Sequence, residues 1–304
     1  MILITTYYSR SGDQRFLNRR QYLEQTIQSV DSQNLDNLFH LIVDDGSTDD
    51  MYSVLSKKYA DHPTRRVIRR EKSHAEPLSS TNARNYAIEL CLKHKNIAGI
   101  DISNHKYISF TDSDDLVTNL GLRLSFMEKN QFSFGYSDAF IFFDNDIPGR
   151  LVWKALNPQR AYKNFWIFGK MPYPTMCWRK DFLEGLTLWV KRRYGFDGPF
   201  DPNIGCAEDV DIALSSFEYA KIVNTKIGYI PEVTAGYRIH QNSLAEIREQ
   251  GTRKTEEHKV LIRHFGRMES LWMYVKRAIV RPEFLFPSLI KLRNRFRKKF
   301  VADV

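Results

Sequence analysis

"YISFTDSDDLV" (residues 107–117) decides how the chain is read. Tyr107, Ile108 and Phe110 form an apolar run of the kind a buried strand requires, and Asp112, Asp114 and Asp115 follow within four positions. Like charges this close repel, and burying each costs several kcal/mol unless something positive joins them. The stretch is therefore either a solvated turn or the end of a strand where a cation belongs. Its surroundings choose between the two.

Upstream, "ILITTYY" (2–8), "FHLIVDD" (39–45) and "RRVIRRE" (65–71) have strand character, and "HKYISFTD" (105–112) is a fourth strand. Between the first two, Phe16, Leu17, Leu23, Ile27 and Val30 recur at helical spacing. "GSTDD" (46–50) is a turn that can cap a helix from Met51, and "STNARNYAIELCLK" (80–93) is helical. Strands alternating with helices predict an α/β fold with a mixed, mostly parallel central sheet flanked by helices. In such sheets ligands bind beyond the carboxyl ends of the strands. Both "VDDGSTDD" (43–50) and "TDSDD" (111–115) fall at such ends, so the two acidic clusters should face one cleft.

After residue 120 the pattern changes. "GLRLSFMEKNQ" (121–131) predicts a helix, "FSFGYSDAFIFFDND" (132–146) a strand or hairpin edge, and residues 148–206 an irregular aromatic wall. "AEDVDIALSSFEYA" (207–220) predicts a helix with acids in its first turn, where the dipole favours them. "KIGYIPEVTAGYRIH" (226–240) predicts a strand pair, and the chain from about residue 250 is helical and basic.

Composition narrows the classes. Of the 304 residues 42% are apolar, enough for a core. No window has the apolar length of a membrane-spanning helix. The N-terminal run lacks the basic start and cleavage site of a signal peptide and reads as a strand beginning almost at Met1. Cys91, Cys177 and Cys206 lie far apart and fit a reducing cytosol better than a disulfide framework. Dinucleotide, P-loop, HExxH and G-x-S-x-G motifs are absent. A calcium loop starting at Asp112 would place Val117 where glycine is required and Arg123 where a bidentate Glu belongs. Two or three carboxylates cannot enclose an ion alone; they suit Mg²⁺ or Mn²⁺ shared with substrate phosphates.

The net charge is +9, and residues 270–304 hold nine Lys or Arg against two acids, so the tail carries +7 of it. Trp272, Phe284, Leu285, Phe286, Leu289, Ile290 and Phe296 are mixed with these cations. Apolar and basic residues together suit an interfacial helix on an anionic membrane. A solvated helical face and a partner chain are the competing readings, and no nucleic-acid fold signature accompanies the charge.

"ILITTYY", "YLEQTIQSVDSQ", "LIVDDGSTDD", "STNARNYAIE", "YISFTDSDDLV", "AEDVDIAL" and "YRIHQNSLA" occur in this order over about residues 1–245. The ordered set resembles family 2 glycosyltransferases of the GT-A fold, the inverting type found in bacterial polysaccharide and lipid-linked glycan synthesis. The first strand departs from the family in ending "TTYYS", without the usual Pro and Asn. The resemblance implies transfer of a sugar from a nucleotide diphosphate, most often UDP, to an acceptor hydroxyl. It implies that Thr5, Thr6, Tyr7, Asp44 and Asp45 hold base and ribose, and that Arg84 and Asn85 line the nucleotide side. Asp112, with Ser113 beside it, would contact the ribose, and Asp112 and Asp114 would hold the metal on the diphosphate. Asp209 would be the base, with Glu208 as its neighbour and fallback. Arg238 and His240 would lie near the diphosphate, His240 as a possible metal ligand with Ser243 nearby.

These expectations divide the chain into a GT-A domain over 1–250 (nucleotide-binding half 1–120, acceptor-binding half 121–250) and a helical basic extension over 251–304. They place it in the cytoplasm, peripheral on the inner face of the membrane, with a glycan or lipid-linked acceptor and no nucleic acid partner. A nucleotide-sugar-binding scaffold without turnover, docked by the same tail, is the alternative.

Overall fold

A computed structural model describes residues 1–12, 18–71, 80–143, 151–158, 162, 171–240 and 250–280. The first half builds β1 (Ile2–Tyr7), α1 (Arg19–Asp31), β2 (Phe39–Asp44), α2 (Met51–Lys58), β3 (Arg65–Arg69) and α3 (Thr81–Lys93). A small hairpin, β4 (Asn96–Ile97) and β5 (Ile100–Asp101), leads to β6 (Tyr107–Asp112) and β7 (Leu116–Val117). The second half contains α4 (Leu120–Asn130), β8 (Phe134–Phe143), β9 (Leu151–Trp153), β10 (Cys177–Arg179), α5 (Lys180–Tyr194), α6 (Glu208–Ile222), β11 (Ile227–Ile239) and α7 (Gln250–Val280).

Nine strands form one sheet in the order β3-β2-β1-β6-β10-β8-β11-β7, with β9 beside β8. The strands β3, β2, β1 and β6 are all parallel, while β10 runs antiparallel to both its neighbours. Every residue of β1 and β2 is buried, as parallel strands covered on both faces must be. On one face Ala83, Ala87, Ile88 and Cys91 of α3 pack with Ile2, Ile4, Leu41 and Val43. On the other, Leu23 and Ile27 of α1 and Met51 and Leu55 of α2 close over Tyr7 and Ile42. This is the α/β sheet the alternating pattern predicts.

Two details differ from the sequence reading. Residues 226–240 are not a strand pair: β11 is one 13-residue strand with register shifts between Ile230 and Val233 and between Val233 and Ala235. Pro231 has no N–H for the ladder, so a bulge rather than a turn absorbs it. The stretch 148–206 is not wholly irregular, because α5 spans 15 residues of it. Its buried Phe182, Leu183, Leu186 and Val190 repeat at helical spacing, and Gly195 at φ 82° ends it. Gly185 obscured the pattern; a Cβ there would lie 2.1 Å from the Tyr219 hydroxyl.

The last helix, α7, is broken at Gly266, whose φ 77° and ψ 169° are not helical. Beyond the break Met268, Leu271 and Trp272 are 81%, 57% and 55% exposed, and Val275 is also exposed. They fall three, four and seven residues apart along one helical face. The Lys276 ammonium lies 5.3 Å from the Trp272 ring centroid. Among the described residues no helix is long and apolar enough to cross a membrane. The rest of the predicted basic tail, residues 281–304, lies outside the described residues.

Candidate active site

Strand register brings the predicted residues together. In the parallel half Tyr7 pairs with Asp44, Thr6 with Asp112, and Asp44 with Arg69, so all five lie along one edge at the carboxyl ends of the strands. At the β2 end, Asp44 is buried, pairs with the Arg69 guanidinium at 3.0 Å and accepts from the Ser47 N–H at 3.3 Å. Burial pushes its carboxyl upward, and Ser47 and Arg69 work against that. Asp45 pairs with Arg70 at 2.6 Å, and the Tyr7 hydroxyl donates to Asp49 at 2.6 Å. Thr5 is fully buried with its hydroxyl 2.9 Å from His40 Nε2, so its side chain supports the strand from below.

At the β6 end, Asp112, Asp114 and Asp115 each offer a carboxylate oxygen within 4.8 Å of the others, and Ser113 is buried between them. Two side chains pin Asp114: Arg19 Nη1 at 2.9 Å and His240 Nε2 at 2.9 Å. Burial alone would raise the Asp114 carboxyl, but Arg19 and His240 outweigh it and hold it well below the usual range. Asp115 goes the opposite way, pushed far up by burial and by the charges of Asp114 and Asp112. One Asp115 oxygen accepts the Arg238 backbone N–H at 2.9 Å; the other, like His240 Nδ1, is buried with no partner among the described residues. Arg238 lies between the rings of Tyr22 and Phe142, each 4.5 Å away, and donates to the Asp114 carbonyl at 2.7 Å and to Gln25 at 2.6 Å. It braces the acidic loop from behind.

The third group comes from α6. Glu208 and Asp209 open the helix, and Asp209 accepts the Val210 N–H at 2.9 Å. Arg84, buried on α3, reaches Asp112 at 2.5 Å and Glu208 at 3.1 Å, so one guanidinium joins the β6 acids to the α6 acids. Burial works against the Arg84 charge, but Tyr173, Asp112 and Glu208 together keep it protonated. Burial raises the Glu208 carboxyl to about 7 even with Arg84 opposing. Arg84 also stacks on the Tyr173 ring at 4.1 Å; the Tyr173 hydroxyl is buried without a hydrogen-bond partner among the described residues. Asn85 faces away from this group: its amide ties down the backbone of Phe200 through bonds of 2.8 and 3.1 Å.

The structure thus brings Tyr7, Asp44, Asp45, Arg84, Asp112, Ser113, Asp114, Glu208, Asp209, Arg238 and His240 to the carboxyl-end edge of the sheet, and sets Thr5 and Asn85 in supporting positions. Ser243 lies outside the described residues. Arg19, Arg69, Arg70 and Tyr173 are the site residues that motif reading missed. Arg69 and Arg70 were accessible to it, since they end "RRVIRR", a strand whose carboxyl end must face the same cleft. Arg19 and Tyr173 carried no such signal; tertiary packing alone brings them in.

The donor set is chemically coherent. Oxygen ligands with an imidazole beside them suit a hard divalent ion such as Mg²⁺ or Mn²⁺. Asp112 is one-third exposed, and Asp115 keeps an unsatisfied oxygen, so the cluster fits such an ion. Arg84, Arg69 and Arg70 set three guanidinium groups among the site's acids, each in an ion pair with one or two of them.

Residues 16–179 match the family described as Glycosyl transferase family 2. The chain is 29% identical over 134 residues to an Escherichia coli protein, UDP-Glc:alpha-D-GlcNAc-diphosphoundecaprenol beta-1,3-glucosyltransferase WfaP, covering 43% of this chain and 46% of that one. It spans less than half the length of the curated relatives it matches. Among solved structures, S. aureus TarS in complex with UDP-GlcNAc superposes with a TM-score of 0.58 at 16% identity, over 94% of this chain and 72% of that one. The mannosyltransferase PcManGT from Pyrobaculum calidifontis, in complex with GDP-Man and Mn2+, superposes with a TM-score of 0.51 at 13% identity, over 98% and 80% of the two chains. These likenesses show a shared fold.

Proposed function

The chain belongs to glycosyl transferase family 2, and from that premise we propose that it transfers a sugar, with inversion, from a UDP-sugar to a hydroxyl of a glycan or lipid-linked acceptor in surface polysaccharide synthesis. The observation that carries the reading is the Arg84 bridge between Asp112 and Glu208. It puts the acids of the nucleotide side and the acids of the helix start within one guanidinium of each other, as a single transfer centre requires. The relatives support the donor class: WfaP is named for UDP-Glc, and TarS was solved with UDP-GlcNAc.

In this reading Tyr7, Asp44 and Asp45, with Arg69 and Arg70, receive the nucleoside. Asp112 and Asp114, with His240 beside them, hold a divalent ion, Mn²⁺ or Mg²⁺. When bound, that ion supplies positive charge to the diphosphate as it leaves. Asp209 takes the proton of the acceptor hydroxyl while its oxygen attacks the anomeric carbon from the face opposite the diphosphate. Glu208, held by Arg84, fixes the start of the helix that carries Asp209. Arg84 stays protonated between the two acid groups and orients them.

The exposed Leu271, Trp272 and Val275, continued by the basic sequence to residue 299, support a seat on an anionic membrane through residues 270–304. That seat matches a lipid-linked acceptor and places the protein on the cytoplasmic side.

Calorimetric titration with UDP, GDP and dTDP, each with and without Mn²⁺, tests the reading. Metal-dependent binding of UDP that is lost in Asp114→Ala is the expected result. Binding of none of the three, with or without metal, would overturn it.

A further inference from the structure

The loop from Asp201 to Ala207 delivers Glu208 and Asp209 to the cleft, and α7 holds that loop at both ends. Glu256 of α7 accepts the N–H groups of Gly205 at 3.0 Å and Cys206 at 2.7 Å, the amides just before the helix start. Arg263 Nη2 pairs with Asp201, where the loop begins, and Arg263 Nη1 pairs with Asp211 at 2.8 Å in the first turn of α6. His264, fully enclosed, takes the other Asp211 oxygen at 2.9 Å and reaches Glu218, two turns further along α6, at 2.9 Å. Asp201 and Asp211 are both buried, and these partners offset the cost of burying them.

The contacts are concentrated. All three α7 side chains bind the loop or the helix that carries the candidate acids. Packing alone does not require this arrangement; apolar contacts could join two helices without tying three carboxylates and two backbone amides to charged or polar side chains. The rings of Tyr194 and Phe196, 5.0 and 5.6 Å from the Arg263 guanidinium, limit its alternative poses.

We propose that Glu256, Arg263 and His264 are positioning residues for the transfer: the first half of α7 clasps the 201–207 loop and fixes the pose of Glu208 and Asp209. The proposal rests on the reading of those two acids as the catalytic pair. It assigns to a segment beyond the family-matched residues a part in the reaction, and it makes the helix before Gly266 integral to the catalytic unit. The half beyond Gly266 remains available for other contacts.

The test uses the full chain and the variants Glu256→Ala, Glu256→Gln and Arg263→Lys. Three quantities are read: hydrogen exchange of residues 201–211, UDP affinity with Mn²⁺, and release of UDP from UDP-glucose or UDP-GlcNAc. Losing a hydrogen bond to a charged acceptor should speed exchange at Gly205 and Cys206 about ten- to a hundredfold in Glu256→Ala. Exchange in β1, β2 and β6 and the UDP affinity should not change. Misplaced acids should lower kcat for UDP release by about tenfold or more at unchanged KM. Glu256→Gln, whose amide oxygen still accepts, should recover most of the rate. Arg263→Lys, which keeps the charge but cannot span Asp201 and Asp211, should behave like Glu256→Ala and serves if that variant fails to fold. Loosened exchange with unchanged kcat would overturn the positioning role, as would exchange rising across the whole sheet. Absence of UDP release from the unmodified protein would instead count against the transfer reading; unchanged exchange at Gly205 and Cys206 in Glu256→Ala would still overturn the clasp by itself.

Discussion

Replacing Arg84 by Met keeps the length of the stem and removes the charge that joins Asp112 to Glu208. With charge centres about 4 Å apart and an effective dielectric near 20, each pair contributes about 4 kcal/mol of attraction. Desolvating the guanidinium opposes this by several kcal/mol, and Asp112, one-third exposed, is partly screened. Glu208 is 14% exposed and depends more heavily on its partner. Removing one member of a buried pair typically costs about 3–5 kcal/mol, and that is the loss expected for Arg84→Met at pH 8. The loss should depend on pH. Glu208 sits at about 7, so at pH 6 it is mostly protonated with or without Arg84, and its pair then contributes little. The cost should fall to about 2 kcal/mol, left by Asp112 alone. Urea unfolding of both proteins at the two pH values measures it. Combining Arg84→Met with Glu208→Gln should recover about 1–3 kcal/mol at pH 8 as coupling energy. A loss below about 1 kcal/mol, the range of exposed pairs, or a loss that does not change with pH, would refute the reasoning.

Further outcomes follow from the same geometry. Asp209→Asn should lower kcat by about 10²- to 10⁴-fold while UDP binding survives; retained turnover would shift the base to Glu208, in which case the rate should rise through about pH 7 and Glu208→Gln should abolish that rise. His264 is raised above its ordinary value because Asp211 and Glu218 outweigh the effect of burial. Its contribution to stability is therefore complete below the unfolded value of about 6.5 and is lost as pH rises through the folded value; urea midpoints of His264→Gln should lack that decline. Replacing both Leu271 and Trp272 by Ser should weaken sedimentation with vesicles of phosphatidylglycerol and phosphatidylcholine. Equal sedimentation of variant and parent would remove these residues from the membrane face.

The parallel half of the sheet was legible because its strands announce themselves twice, by apolar runs and by acids at their carboxyl ends. Asp44 and Asp112 fall in one cleft by sequence alone, since the strand-end rule depends only on topology. The second half was harder. Pro231 resembles a turn signal, and only the pairing of β11 with β8 along its whole length shows it to be a bulge. Gly185 interrupts the pattern of α5 for the sake of Tyr219, which lies on another helix. Arg19 could not be singled out because its role depends on reaching Asp114, 95 residues away in sequence. Asn85 shows the converse: it stands in the motif beside Arg84, yet helical geometry turns it toward the backbone of Phe200.

Gly266 carries a consequence of a different kind. Its backbone angles fall where essentially only glycine is found. The two halves of α7 therefore have separate axes, and the second lies back against the first, with Met273 packed on Leu261 and the Tyr274 ring 5.4 Å from the His258 ring. The face of Met268, Leu271, Trp272 and Val275 points where it does, relative to the cleft, because of that break together with the contacts across it. An alanine at 266 would favour a continuous helix and swing this face to another heading without altering any of its side chains. The heading of that face relative to the candidate site is an angular property that the missing Cβ permits and the contacts across the break fix.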